Sequence, residues 1–114
     1  MKERILKINS LIKKELGKIL LREIDFPTGS LVTVTRVDTS PNLIQTKVYI
    51  STIPEESSQE VFDVLENNIY SIQQKLNKKI NMRPMPRIFF VKEKTTGEAG
   101  RVEELLEEIK KDES

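Results

Sequence analysis

Two β-like segments joined by one turn lie between long helical stretches, and this arrangement constrains the fold of the chain more than any other feature. The segments cover about residues 31–38 and 43–53, and the residues TSPN connect them. Proline presets φ and asparagine tolerates unusual backbone angles, so the connection predicts a turn between antiparallel strands. One face of the second strand holds Ile44, Thr46, Val48 and Ile50, and the other holds Gln45, Lys47, Tyr49 and Ser51. We expect the apolar face of this hairpin to be covered by helices.

Helical periodicity flanks the hairpin on both sides. A first helix is predicted over residues 3–22 and ends at Pro27 and Gly29, which interrupt regular structure. A second helical region is predicted from Ser57 or Ser58, as the N-cap, to about Asn81. The apolar stripes of the two helical regions are Ile5, Ile8, Ile12, Leu16 and Ile19, and Val61, Leu65, Ile69, Ile72, Leu76 and Ile80. Their three- and four-residue spacing is typical of helices with one buried face.

The remaining chain predicts one more strand and one more helix. Residues 87–91, RIFFV, are expected to form a strand buried on both faces, with Phe89 and Phe90 in the core. Residues 101–111 form an amphipathic pattern through Val102, Leu105, Leu106 and Ile109. The predicted order is α–β–β–α–β–α in a single domain of residues 1–114, since this length can bury one core without metals or cross-links.

The composition narrows the functional classes. The chain contains no cysteine and no histidine, which argues against zinc sites, disulfides and thiol or histidine nucleophiles, and no cofactor is predicted. The acidic pairs at residues 55–56 and 103–104 are helix neighbours that do not face each other, so no catalytic constellation emerges and the protein is not expected to be an enzyme. No segment is apolar enough for a membrane span or signal peptide, so we expect a soluble, cytoplasmic protein.

The 19 basic and 18 acidic residues are unevenly placed, so a net charge of +1 can hide a basic face. The strongest cluster consists of Lys75, Lys78, Lys79, Arg83 and Arg87, with no acidic residue between positions 74 and 87. Complementation of the helix dipole explains Lys78 and Lys79 but not the whole run, so contact with a nucleic-acid backbone is an equal alternative. On the first helix Lys7, Lys14 and Lys18 project together with Arg4 and Arg22, either as an RNA-facing stripe or as a solvated face. Tyr49 either stacks on a base or packs across strands.

The ordered series TVTRVDTSPNLIQTKVYIS, INMRPMPRIFF and GRVEELL resembles bacterial ribosome-binding factor A over nearly the whole chain. Matching positions are Val34, Val37, Ser40, Leu43, Lys47, Val48, Tyr49, Ile50, Ser51, Leu76, Arg83 and Pro86, with Leu16, Ile19 and Leu20 in the first helix and Arg101, Leu105 and Leu106 in the last. The resemblance implies an α+β, type II KH-like domain with a three-stranded sheet, helices on one face and a kinked second helix. It further implies a monomeric, non-enzymatic factor that binds the free 30S subunit and 16S rRNA. Such factors promote late maturation and rRNA processing, including in the cold. A small protein-interaction module without RNA binding is the alternative.

The second helical region is expected to be interrupted between Asn67 and Ser71. An unbroken helix over residues 57–81 would be about 37 Å long, more than the roughly 30 Å diameter of a small domain. Asparagine side chains compete for backbone hydrogen bonds, and Asn67 and Asn68 are therefore weak helix formers. The family resemblance implies a helical interruption with the pattern Ala-x-Gly, and this chain has Asn68, Ile69 and Tyr70 at those positions.

Overall fold

A computed structural model describes residues 2–94. The helices are α1 (Lys2–Glu23), α2 (Ser58–Asn67) and α3 (Ile69–Lys79), and the strands are β1 (Leu31–Thr39), β2 (Gln45–Ile53) and β3 (Arg87–Lys92), with a 3₁₀ turn at Glu55–Ser57. This order confirms the α–β–β–α–β part of the prediction. The predicted closing helix at residues 101–111 lies outside the described residues, so the extent of a single domain over 1–114 stays a prediction.

The three strands form one mixed sheet in the order β1–β2–β3. β1 and β2 are antiparallel, as a hairpin requires, and β2 and β3 are parallel. Parallel neighbours need a long crossover, and α2 with α3 provides it. The registers place Val34, Ile50 and Lys92 side by side across the sheet, and a bulge interrupts β1 between Val34 and Arg36. β1 and β3 are therefore the two edges of the sheet.

The turn of the hairpin depends on Asn42. Its Oδ1 accepts hydrogen bonds from the Ile44 N–H at 3.0 Å and from Ser40 Oγ at 2.6 Å. Leu43 follows in the left-handed region, with φ of 62°, a conformation that costs energy for a side chain other than glycine. The side-chain bonds of Asn42 hold that conformation, and the predicted turn is confirmed.

The core lies between one face of the sheet and the three helices. α1 contributes Ile12, Leu16, Ile19 and Leu20, the crossover contributes Val61, Leu65, Ile72 and Leu76, and the sheet contributes Val34, Val48, Ile50, Ile88 and Phe90. The strand residues between these positions are mostly exposed, so the helices cover only one face of the sheet. This confirms the predicted α+β architecture with helices on one face.

Two local predictions are wrong. β3 is not buried on both faces, because its residues alternate: Phe90 packs in the core, whereas 40% of Phe89 is exposed on the open face. Ile44 is exposed because it precedes the first residue of β2 and does not share the buried face. Ser57 is the N-cap residue of α2, as predicted, but its side chain makes no capping hydrogen bond, because the preceding 3₁₀ turn gives it helical backbone angles.

The crossover is divided at Asn68, within the predicted span. Asn68 has φ of −110° and ψ of 6°, so it belongs to neither helix. Its side-chain Nδ2 donates to the Val64 carbonyl at 2.7 Å, and its backbone N–H donates to the carbonyls of Val64 and Leu65. The Asn68 amide thus satisfies a carbonyl at the end of α2 while α3 begins at Ile69. Sequence reasoning identified both the interruption and the residue type that forms it.

Candidate nucleic-acid interface

The C-terminal end of α3, the loop after it and the start of β3 carry the basic cluster predicted from the sequence. Lys78 and Lys79 occupy the last turn of α3, Arg83 lies in the loop, and Arg87 is the first residue of β3. All four side chains are exposed. No ion pair engages them within residues 2–94, so their charges face solvent without an acidic partner from the described chain.

Gln73 fixes the geometry of this region, and sequence reasoning did not identify it. Its Oε1 accepts a hydrogen bond from the Ile88 N–H at 2.9 Å, and its Nε2 donates to the Pro86 carbonyl at 3.2 Å. Both partners belong to the entry into β3, so one side chain connects α3 to that strand. The position of Arg87, between Pro86 and Ile88, is consequently tied to α3.

Apolar side chains attach the loop between α3 and β3 to the core. Met82 and Met85 pack against the core, and Pro86 is fully buried. Arg83 lies between the two methionines and remains exposed. Because the residues on both sides of it are anchored, the backbone position of Arg83 is fixed, although its own side chain does not pack against the core.

Lys75 differs from the other members of the cluster. Its Nζ donates to Ser71 Oγ at 3.2 Å and lies 3.9 Å from Glu23 Oε1, at the end of α1. The lysine therefore contributes to the contact between α1 and α3. Because its ammonium group already lies near the Glu23 carboxylate, it offers less to a phosphate than Lys78 or Lys79.

An open pocket of about 440 Å³ lies next to the helix break and the cluster. Tyr70, which is 75% exposed, borders it at one end, and Arg87 borders it from β3. Between them lie three side-chain amides, Gln73, Gln74 and Asn77. The spacing of positions 70, 73, 74 and 77 places four polar side chains on one helix face, which is the sequence signal that could have identified this pocket. The structure thus brings Ile69 and Tyr70 of the interruption together with Arg87.

The basic residues of α1 form a separate surface. Lys7, Lys14 and Lys18 are all exposed, as expected, and lie within about 40° of one another around the helix axis. Glu23, which faces α3, is about 140° away from Lys18 around the same axis. The structure therefore does not bring the α1 stripe and the α3 cluster to one site. Lys18 also lies 4.0 Å from Glu15, a weak intrahelical pair.

Tyr49 packs across strands. The Arg36 guanidinium lies 3.8 Å from the centre of the Tyr49 ring, and the two residues are paired between β1 and β2. Arg36 Nε also donates to Glu93 Oε1 at 3.1 Å, and Thr35 Oγ1 donates to the same oxygen at 2.6 Å. Because the arginine covers the ring, cross-strand packing, rather than base stacking, describes Tyr49 in this structure.

Two other site classes lack support within residues 2–94. No group of three or more acidic side chains is arranged to hold a metal ion in that range. In the same part of the chain, none of the helices combines the length and apolarity that a membrane span requires.

A family model described as ribosome-binding factor A matches residues 4–106, which is most of the chain. The chain belongs to the ribosome-binding factor A family. Among relatives named ribosome-binding factor A, that of Prochlorococcus marinus is 36% identical over 110 residues, covering 94% of this chain and 85% of the relative. The Carboxydothermus hydrogenoformans protein of the same name is 33% identical over 102 residues, covering 89% and 82%.

Solved structures of ribosome-binding factor A share the fold. The solution structure of a Thermotoga maritima protein described as a putative ribosome-binding factor A superimposes with a TM-score of 0.67 at 27% identity, covering 82% of this chain and 90% of that one. The crystal structure of the Thermus thermophilus factor gives a TM-score of 0.68 at 22% identity, covering 77% and 93%. A homology model of the Thermus thermophilus factor, fitted into a cryo-EM map of its complex with 30S, gives 0.55 at 25% identity, covering 71% and 90%.

Proposed function

We propose that this member of the ribosome-binding factor A family binds the free 30S ribosomal subunit through 16S rRNA. The observation that carries the proposal is the set of exposed cations Lys78, Lys79, Arg83 and Arg87 beside the pocket at the helix break, which have no acidic partner within residues 2–94. The relatives' name and the fit of the Thermus thermophilus factor into a 30S complex support the choice of partner. The role that follows is that of a cytoplasmic assembly factor for late maturation and rRNA processing, including in the cold.

The cluster and the pocket suit different parts of an RNA. Phosphate groups need clustered Lys and Arg side chains, and Lys78, Lys79 and Arg83 provide them on a protruding helix end and loop. Single-stranded bases instead need a stacking surface and hydrogen-bonding groups. Exposed Tyr70 offers the ring, and the exposed amides of Gln74 and Asn77 offer donors and acceptors along the same helix face. Arg87 belongs to the basic cluster and also lines the pocket, so it lies where the two surfaces meet.

The helix interruption contributes by orienting α3. If α2 continued without a break, Tyr70 and the amides after it would follow the α2 axis. The turn at Asn68 allows α3 to take its own direction while Gln73 attaches it to β3. We infer that Asn68, Ile69 and Tyr70 serve the role that the family's Ala-x-Gly element implies, with a side-chain amide in place of glycine's backbone freedom. In this proposal the chain acts as a monomeric, non-enzymatic, KH-like binding domain without a cofactor, and no chemistry on the RNA is required of these residues.

The deciding experiment is cosedimentation with purified free 30S subunits over a range of salt concentrations. Wild-type protein is expected to sediment with 30S subunits, and the variant Lys78→Glu, Lys79→Glu, Arg87→Glu is expected to remain in the supernatant. The matched control changes three exposed lysines outside both basic groups, Lys2→Glu, Lys47→Glu and Lys94→Glu, with the same change in net charge. The control should retain most of the binding, since it keeps all the cations of the α3 cluster and changes only the net charge.

Two results would contradict the proposal. If wild-type protein fails to bind 30S subunits, the choice of partner is wrong. If the cluster variant and the control lose binding equally, net charge rather than the cluster drives association. Binding that does not change with salt would instead favour the alternative, a protein-interaction module, because apolar interfaces are not weakened by added salt.

A further inference from the structure

An apolar groove of about 740 Å³ runs between α1 and the edge strand β1. The α1 wall includes Gly17 and Leu21, the β1 wall includes Val32 and Val34, and Ile24 of the connection between them closes one end. At Gly17 an added Cβ would meet no atom within 4 Å, so this part of the wall is open to the outside. The groove lies away from the pocket beside α3, and the proposed RNA contacts do not use its floor.

The walls of the groove expose large apolar side chains that a folded protein normally covers. Leu21 is 83% exposed on α1, and Ile24, Phe26 and Val32 are only half-buried where they line the groove. A single exposed leucine is ordinary, but an exposed leucine beside several half-buried apolar side chains in one groove marks a binding surface. The lining is mainly aliphatic, which suits an aliphatic partner better than the planar rings of nucleic-acid bases.

The rim of the groove is basic. Lys13, Lys14 and Lys18 border it from α1, and no acidic side chain among residues 2–94 lines it. A partner that matches this surface presents an aliphatic stripe with carboxylates beside it. The chain itself contains such a segment at residues 101–111. The apolar residues Val102, Leu105, Leu106 and Ile109 recur there at helical spacing, and residues 101–114 hold six acidic and three basic residues, for a net charge of −3.

We propose that residues 101–111 bind the groove between α1 and β1 as an amphipathic helix, with their apolar face on Leu21 and Val32. The lengths agree. Eleven helical residues span about 16 Å, and the stretch of α1 that lines the groove, from Ser10 to Leu21, spans about 18 Å. The carboxylates of the segment then lie near Lys13, Lys14 and Lys18, where charge attraction adds to apolar burial.

The connection to the described chain permits this arrangement. Lys92 pairs with Ile50, which pairs with Val34, so β3 ends at the level of the groove. Two strand spacings, about 10 Å, separate β3 from β1. Residues 95–100 can span up to about 20 Å when extended, which is sufficient to pass the edge of β1. The Glu93 carboxylate, bonded to Thr35 and Arg36, already connects the end of β3 to β1.

Binding of this segment has a consequence for RNA. Lys14 and Lys18 belong both to the rim of the groove and to the basic stripe of α1. Carboxylates placed beside them reduce the positive potential of that stripe, so the segment and a phosphate backbone compete for the same lysines. This consequence rests on the proposed function, whereas occupancy of the groove does not.

The chain has no native cysteine, so one spin label can be attached at a single introduced thiol. With the label at Glu108→Cys in the full chain, paramagnetic broadening should remove most of the amide signal intensity of Gly17, Leu21 and Val32. Adding Leu21→Asp should restore those signals. The matched control, Leu6→Asp, changes another exposed leucine of α1 that does not line the groove, and it should leave the broadening in place.

The result has three readings. Selective broadening of the groove that Leu21→Asp abolishes supports the proposal. Broadening centred on Phe89 and Val91 would place the segment on the open face of the sheet and overturn it, as would the absence of selective broadening. Titration with purified 30S subunits, followed by the electron paramagnetic resonance spectrum of the same label, then tests competition: the label should become more mobile as the subunit binds and releases the segment. If the subunit binds and the label does not become more mobile, competition is wrong; if the subunit does not bind, the proposed function is wrong.

Discussion

The two basic regions of the molecule, the α3 cluster and the α1 stripe, are built in different ways. The α3 cluster brings together cations from a helix end, a loop and a strand, and Gln73, Met82 and Met85 fix the backbone that carries them. The α1 stripe consists of Lys7, Lys14 and Lys18 on one continuous helix, and within residues 2–94 the weak pair of Lys18 with Glu15 is the one ion pair or side-chain hydrogen bond that any of these lysines makes.

The difference shows how a function can be recognised on a charged surface. Regular spacing on an amphipathic helix produces a charged outer face without any selection for a ligand. Convergence of three elements, each tied down by buried groups, has no such default explanation. Fixed positions also lower the entropy lost when a ligand binds, because fewer backbone conformations must be frozen. We therefore expect the α3 cluster to make specific contacts with RNA, whereas we expect the α1 stripe to contribute only long-range attraction.

The largest expected effect is in the salt dependence of 30S binding. For the variant Lys78→Glu, Lys79→Glu, Arg87→Glu, the slope of log K against log salt should flatten by roughly 0.7–0.9 per lost phosphate contact, or about 2–3 in total. The equivalent change at Lys7, Lys14 and Lys18 should lower affinity with a smaller change in slope, because these lysines act at a distance. Equal slopes for the two variants would remove the distinction between the regions.

A second prediction concerns the anchor of the cluster. Replacing Gln73 by alanine leaves the Ile88 N–H and the Pro86 carbonyl without their partner, and we expect a loss of about 1–2 kcal/mol in the free energy of unfolding, measured in urea. Gln74→Ala is the matched control, since the neighbouring glutamine is exposed and should change stability by less than about 0.5 kcal/mol. If Gln73→Ala is as stable as Gln74→Ala, Gln73 does not anchor β3, and the cluster is no more fixed than the stripe.

Much of the fold, and less of the site, could be predicted from the sequence. The stripes of α1, α2 and α3 and the turn at Asn42 follow from local periodicity and turn chemistry, which depend on neighbours in the chain. Gln73 and Phe89 do not. Gln73 matters because of carbonyl and amide groups 13 and 15 residues away, and Phe89 is exposed because its face of the sheet has no helix above it among residues 2–94. Such features depend on tertiary neighbours, which spacing alone does not specify.

A third prediction tests whether the helix break orients the pocket beside α3. Asn68→Ala removes the hydrogen bond from Nδ2 to the Val64 carbonyl and favours continuous helix, so stability should change by less than about 1 kcal/mol in either direction. Binding to 30S subunits should fall by more than this change explains, because Tyr70 and the amides change direction. Backbone chemical shifts over residues 66–72 report whether the helix has straightened, and Asn67→Ala serves as the control for composition. Straightened helix with unchanged affinity would show that the break does not position the RNA contacts.

The smallest effect is expected when the lysines of the α1 stripe are replaced by alanine and the stability of the protein is measured. This variant tests whether the α1 stripe, unlike the α3 cluster, acts without direct contacts. Lys7→Ala, Lys14→Ala and Lys18→Ala together remove three exposed charges from a helix whose opposite face is packed by Ile12 and Leu16. Alanine favours helix, and surface substitutions usually change stability by less than about 0.5 kcal/mol each, so the melting temperature should hardly move. Affinity for 30S subunits should fall modestly at low salt and approach that of the wild type as salt rises, since screening removes long-range attraction from both proteins. A loss of affinity that persists at high salt would mean that the stripe makes direct contacts, and the two basic regions would then form one interface in the complex.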